Sequence, residues 1–278
     1  MVEDKLNTFF IVSVVIPCYN CKNVIERAVK SVYIQTYRPM ELILVDDCST
    51  DGTLELLYKI RVNYGSDWMK IIERKENCGP GGTRNDGWEV ATQPYIAFLD
   101  ADDSWHPRKI EIQLNFMLKH PDIVLSAHKY RVIPSNIEHF HEPSSMPKIK
   151  IFKKNQLLFH NFISTPTVML KKNIPFRFPV KRYSEDYLLW LLLSEGYKCV
   201  FLEEELAYCY KKAYRESGLS AKLWKMEKGE LDNYVFLLLS KRINILLFVL
   251  SFLYSFVKFM RRIIISYLYK RGKNVSKS

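Results

Sequence analysis

No acidic residue occurs from position 241 to the end of the chain, whereas nine Lys or Arg do. That stretch carries most of the net charge of +11. The residues before it hold 32 basic and 30 acidic side chains, so the body of the chain lacks the cationic excess of a nucleic-acid binder, and no nucleic-acid partner is expected. A secretory signal is also missing: the first residues, Met1-Val2-Glu3-Asp4-Lys5, are charged and lead into a strand-like run with no small-residue cleavage site. The six cysteines form no disulfide or zinc pattern. Cys18 and Cys21 have C-x-x-C spacing, but no second close pair or suitable His completes a metal site. Reduced thiols are therefore expected. Internal repeats and low-complexity linkers are absent. With 48% hydrophobic and 26% charged residues, the chain reads as globular and not disordered. Its 278 residues allow one large α/β domain, or a core with an appendage.

What is present alternates. Residues 9–17 are a continuous apolar, β-branched run, as in a strand buried on both faces. Helical spacing follows over 23–33, with Val24, Ala28 and Val32 on one face. Strands are expected at 41–45, 69–73, 95–99 and 123–126. A turn and cap at 49–53 opens a helix through Leu54, Leu57 and Ile60. A glycine-rich loop at 77–82 precedes a helix reaching Ala91, and Pro107 sits near the start of a helix ending about Lys119. Alternating strands and helices with short connections imply a mostly parallel, Rossmann-like sheet flanked by helices. Residues 127–180 read as irregular. An apolar helix over 187–195, a strand over 198–201, a basic loop over 208–220 and a helical stretch over 222–240 follow.

In parallel sheets ligands bind outside the carboxyl ends of the strands, and the informative residues fall there. Phe98-Leu99-Asp100-Ala101-Asp102-Asp103 ends a strand in three carboxylates within four residues. Such like charges repel, and a divalent cation bound to a phosphorylated ligand is their natural partner. A solvated acidic turn capping the next helix is the plainer account. Asp46 and Asp47 end another strand, where a carboxylate can accept from a nucleobase N–H or a ribose hydroxyl, or close an Asx turn. Gly79 to Asn85 lets the backbone approach a ligand, with Arg84 within reach of a diphosphate, or simply begins a helix. The stretch matches neither the P-loop nor the dinucleotide-binding glycine pattern. Glu185 and Asp186 open an apolar helix, either as caps or with one acting as general base. His139 and His141 alternate as surface residues, and no metal is assigned to them.

Five segments in this order and spacing carry a resemblance: Ser13 to Asn20, Val45 to Thr53, Asn77 to Pro80 with Thr83-Arg84-Asn85, Asp100 to Asp103, and Glu185-Asp186. Over about residues 10–220 the chain resembles family 2 glycosyltransferases of the GT-A fold. The resemblance implies that Pro17 and Tyr19 line a nucleotide pocket, and that Asp47 (or Asp46) contacts the base. It places Arg84 near base or phosphates, Asp100 on the ribose side, Asp102 on Mg²⁺ or Mn²⁺, and Asp186 as catalytic base. It also implies inversion at the anomeric carbon. Many relatives carry a His after the catalytic helix. Here Tyr210 to Ser220 has none, and Lys211, Lys212 or Arg215 are the available cations.

Residues 243–260 form a mostly apolar stretch containing Lys258, followed by Arg261, Arg262 and a second apolar stretch. Basic residues mixed with large apolar ones fit amphipathic helices lying in an anionic membrane interface better than a span or a packed core. The chain divides into a catalytic unit over 1–220 and a membrane-associating helical tail over 221–278. The combined expectation is a metal-dependent, inverting transferase moving sugar from a nucleotide-diphosphate sugar, a UDP-sugar, to a lipid-linked or other surface-polysaccharide precursor. Its expected location is peripheral, at the cytoplasmic face of the inner membrane. A nucleotidyltransferase and a non-catalytic, membrane-bound nucleotide-sugar binding protein are the alternatives.

Overall fold

The computed structural model describes residues 11–37, 41–133, 141–144, 147–210 and 222–275, with side chains through 268. The first half alternates as expected. β1 (Val12–Cys18), β2 (Glu41–Asp46), β3 (Met69–Glu73) and β4 (Tyr95–Phe98) pair in parallel in the order β3-β2-β1-β4. Helices α1 (Ile25–Tyr33), α2 (Thr53–Tyr64) and α3 (Gly79–Val90) connect them. β2 and β4 bury every residue, which is why they read as unbroken apolar runs. The period of two then sorts their side chains between two cores. Val15, Ile43, Val45, Ile96 and Phe98 join one, with Trp88 of α3. Val14, Ile16, Leu42, Leu44 and Ala97 join the other, with Ile25 of α1 and Leu57 of α2.

The second half departs from a mostly parallel sheet. It comprises β5 (Ser104–Trp105), α4 (Lys109–Lys119), β6 (Ile123–Val132), β7 (Ile149–Phe152), α5 (Lys154–Phe159), a 3₁₀ turn (Thr165–Thr167), β8 (Met169–Lys171), α6 (Glu185–Gly196) and β9 (Lys198–Cys209). The sheet continues β4-β8-β6-β9-β5, with β7 on β9. Only β6 and β9 pair in parallel here; β4–β8, β6–β8, β5–β9 and β7–β9 are antiparallel. The reason lies in the stretch 127–180, which is not irregular but holds β7, α5 and β8. β8 has three residues and β7 exposes Ile149 and Ile151, so neither offers a periodic window. β6 runs past its expected end because its last four residues are exposed and give no apolar signal.

Two further helices, α7 (Leu223–Leu239) and α8 (Ile245–Val275), complete the chain. α7 packs on α6, and α8 packs on α7 and α5. The inward face of α8 presents the buried Ser251, Ser255 and Phe259. Lys258 Nζ reaches Glu230 of α7 at 2.5 Å, and Arg262 reaches the same carboxylate at 3.3 Å. Ser255 Oγ donates to Glu227 at 2.9 Å. Two cations of the tail are therefore paired, although no acid lies near them in sequence. The outward face is a different surface. Leu246, Val249, Leu253, Phe256, Met260 and Ile264 recur at helical spacing and are all exposed. Among the described residues no helix is long and apolar enough to cross a membrane.

Candidate active site

The carboxyl ends of β1, β2 and β4, the start of α3 and the start of α6 open on one cavity of about 700 Å³. Pro17, Tyr19, Asp47, Arg84, Asp100, Asp102 and Asp186 all line it. The structure thus brings together residues from five separate segments. Backbone strain gathers around it as well. Asn20 (φ 48°) and Ser184 (φ 55°) line the cavity, and Cys48 (φ 63°) follows Asp47. None is a glycine, and each left-handed residue costs about 1–2 kcal/mol.

The two neighbouring aspartates after β2 have separate tasks. Asp47 Oδ1 accepts the Cys78 N–H at 2.9 Å, and Oδ2 accepts the Gly79 N–H at 3.0 Å. This carboxylate caps α3, and Arg74 Nε lies 3.5 Å from its Oδ1. Asp46 does not line the cavity. It is buried, and its Oδ2 accepts the Ser49 N–H at 3.0 Å. The expectation that Asp46 touches the ligand is corrected: side chains alternate at a strand end, and only Asp47 points to the cavity. The glycine-rich stretch is likewise not a loop. With Asp47 as its cap, α3 begins at Gly79. A Cβ on Gly81 would lie 2.8 Å from Glu185 Cγ and 3.2 Å from the Pro179 carbonyl, so the glycine permits close packing against the start of α6.

Arg84 lies beneath that contact and joins two cavity walls. Its Nη2 donates to Asp100 at 2.7 Å, and its Nη1 donates to Glu185 at 3.1 Å. The guanidinium is only 5% exposed. Burial disfavours its charge, but the Asp100 and Glu185 carboxylates outweigh this and hold it firmly protonated. The expected phosphate-reaching Arg84 is therefore already committed to two acids.

The turn after β4 concentrates negative charge. Burial first, and then the charges of Asp100 and Asp102, push the Asp103 carboxyl well above the usual range. Cys209 at the end of β9 donates its thiol to Asp103 at 3.3 Å. Arg27 donates to the Asp102 carbonyl at 2.5 Å and stacks 3.4 Å over the Tyr210 ring, whose hydroxyl meets Ser104 at 2.8 Å. Burial also raises Asp100, against the opposing pull of Arg84.

At the start of α6, Asp186 Oδ2 accepts the Thr165 hydroxyl at 2.9 Å and Oδ1 accepts the Tyr187 N–H at 2.7 Å. Beside it, burial and the Asp186 charge raise Glu185 to about 7, despite Arg84. Sequence reasoning named Glu185 and Asp103 only within their acidic clusters and gave no role to Arg27 or Cys209. Adjacency to Asp186 and Asp102 signalled the first two, whereas nothing local signals the others. Lys211, Lys212 and Arg215 lie outside the described residues.

Six carboxylates, those of Asp47, Asp100, Asp102, Asp103, Glu185 and Asp186, thus line the cavity with Arg84, Arg182 and Lys222. This surplus suits a ligand that brings positive charge with it.

The chain is similar to known glycosyltransferases. The glycosyl transferase family 2 model matches residues 13–176. The chain is 31% identical over 232 residues to the Escherichia coli UDP-Glc:alpha-D-GlcNAc-diphosphoundecaprenol beta-1,3-glucosyltransferase WfgD, covering 80% of this chain and 85% of that one. It is 32% identical over 227 residues to the putative teichuronic acid biosynthesis glycosyltransferase TuaG of Bacillus subtilis, covering 78% and 84%. The crystal structure of residues 1–349 of Staphylococcus aureus TarS in complex with UDP-GlcNAc superposes with a TM-score of 0.63 at 22% identity, covering 82% of this chain and 67% of that one.

Proposed function

The chain belongs to glycosyl transferase family 2, and we propose that it moves a sugar, with inversion, from a UDP-sugar to a hydroxyl of a lipid-linked or surface-polysaccharide precursor. The observation that carries this reading is the convergence, on one cavity, of the Asp100–Asp103 turn and the carboxylate of Asp186.

The residues fit a divalent cation. Among the described residues no group of three His, Cys, Asp or Glu forms a complete cage. A hard ion at the acidic turn would take one or two carboxylates and complete its shell with phosphate and water. Asp102 would hold Mg²⁺ or Mn²⁺, which supplies Lewis-acid neutralisation of the departing diphosphate. Pro17, Tyr19 and Asp47 receive the nucleotide, and Asp100, oriented by Arg84, receives the ribose side. Asp186, at the start of α6, takes the proton of the acceptor hydroxyl. The acceptor oxygen bonds to the anomeric carbon as the bond to the diphosphate oxygen breaks, and the electron pair leaves with the nucleoside diphosphate. Attack from the face opposite the leaving group inverts the centre.

In this reading residues 1–220 carry the chemistry, the start of α7 adds Lys222 to the cavity wall, and α8 docks the protein on an anionic membrane at the cytoplasmic face of the inner membrane. The exposed apolar stripe of α8, free of acidic residues and joined by Arg261, supports docking in the interface plane. A lipid-linked acceptor is then delivered at the same surface.

The test is nucleoside diphosphate release from a panel of UDP- and other nucleotide sugars, with Mn²⁺ or Mg²⁺ and a membrane-lipid extract. Release with one donor, dependent on the cation and lost in Asp102→Asn and Asp186→Asn, is expected. Release of pyrophosphate instead, or full turnover in Asp186→Asn, would overturn the reading.

A further inference from the structure

Ser184 is the N-terminal flanking residue of α6, and its left-handed backbone sets the direction in which Glu185 and Asp186 leave the preceding chain. A serine in that conformation costs about 1–2 kcal/mol relative to its ordinary state, so something must hold it. Its side chain does not cap α6. The hold comes from α7. Asn233 is fully buried, and its Nδ2 donates to the Ser184 carbonyl at 2.9 Å. Its Oδ1 accepts from Lys181 Nζ, which also donates to the Gly229 carbonyl at 2.8 Å. Ser184 Oγ donates to the Met226 carbonyl at 3.3 Å. Gly229 lets this face of α7 come so close that a Cβ there would lie 2.6 Å from the Tyr183 carbonyl. One face of α7 thus cradles residues 181–184, the link directly before the carboxylates of the site.

We infer that Asn233 is a positioning residue for Asp186, acting through the Ser184 carbonyl. Asn233 does not line the cavity, so it touches no substrate. Its carboxamide serves both ends of the link at once, as donor to Ser184 and as acceptor from Lys181. Without that donor the strained peptide relaxes and the Asp186 carboxylate turns with it. Displacements of about 1 Å at a reacting group cost up to about a hundredfold in rate. The inference rests on Asp186 being the base of the proposed reaction.

Asn233→Asp is the discriminating substitution. It keeps the size and the acceptor for Lys181 but sets an oxygen against the Ser184 carbonyl. Asn233→Ala removes both bonds without burying a charge and covers the case in which Asn233→Asp does not fold. The comparator is Tyr234→Phe on the same helix. The Tyr234 hydroxyl serves the Leu158 carbonyl at 3.0 Å and Glu230 at 2.9 Å and meets the Tyr187 hydroxyl at 3.4 Å, with no bond to the 181–184 link. In the Asn233 variants kcat is expected to fall about tenfold or more, with donor KM within about twofold. Amide hydrogen exchange at Glu185, Asp186 and Tyr187 is expected to accelerate about tenfold or more while the β1–β4 amides keep their rates. Tyr234→Phe is expected to lose stability and keep kcat. Unchanged exchange at 185–187 in a folded Asn233 variant would overturn the inference. So would Tyr234→Phe lowering kcat as far as Asn233→Asp, because the effect would then be general loosening of α7. The exchange readout needs no turnover. A wild-type chain that releases no nucleoside diphosphate sinks the proposed reaction, while exchange still decides whether Asn233 holds the link.

Discussion

Glu185→Gln isolates the electrostatics of the site. Glu185 is 5% exposed, and burial with the Asp186 charge raises its carboxyl from 4.5 to about 7. A carboxyl raised on folding binds protons more tightly in the folded state than in the unfolded chain. Its contribution is therefore fully present below about pH 4.5 and is lost as pH rises through about 7. At about 1.36 kcal/mol per unit, a rise of this size corresponds to about 3 kcal/mol. Gln keeps the shape and can still accept from Arg84, but it has no proton to lose. Denaturant unfolding of wild type and Glu185→Gln across this interval isolates the effect, since other titrating groups largely cancel in the difference. Wild type is expected to lose about 3 kcal/mol relative to the variant on going from acid to neutral pH. Parallel stability curves would refute the assignment and mean that Glu185 stays ionised beside Arg84 throughout.

Arg84→Met leaves Asp100 and Glu185 buried without their shared cation. Breaking such a site costs about 3–5 kcal/mol, and the loss in unfolding free energy should shrink as pH falls and the stranded carboxyls take up protons. For α8, Leu253→Glu with Phe256→Glu places charge on the outward stripe without touching the α7 contact. Each exposed side chain that enters lipid is worth about 1.5–3 kcal/mol, so sedimentation with anionic vesicles should drop by about tenfold or more per position. Donor turnover with a detergent-solubilised acceptor should stay at wild-type level.

β2 and β4 were legible in the sequence because burial on both faces leaves no polar interruption, and each ends abruptly in carboxylates. Strand alternation also placed both acidic clusters at one edge before any contact was known. Asp46 and Asp47 were not separable, because identical neighbours at a strand end differ only in the face they take. Arg84 was legible as a site residue but not in its partners: Glu185 lies 101 positions away. Asn233 carried no signal in the sequence, because its partner Ser184 lies 49 positions before it. β8 was hidden because three residues held by a tertiary pairing carry no period of their own. The tail was half legible. Its apolar stripe follows from helical spacing, but the acids that neutralise Lys258 and Arg262 sit on α7.

That last pairing bears on how the protein can be handled at the bench. A chain shortened after α7, the obvious remedy for a sticky terminus, would lose more than an exposed apolar strip. It would leave Glu227 and Glu230 bereft of Ser255, Lys258 and Arg262. Those two acids sit on the helix that also grips Ser184. Trimming for solubility therefore removes part of the scaffold of the reaction centre. Polar substitutions along the outward stripe reach the same end with that scaffold intact.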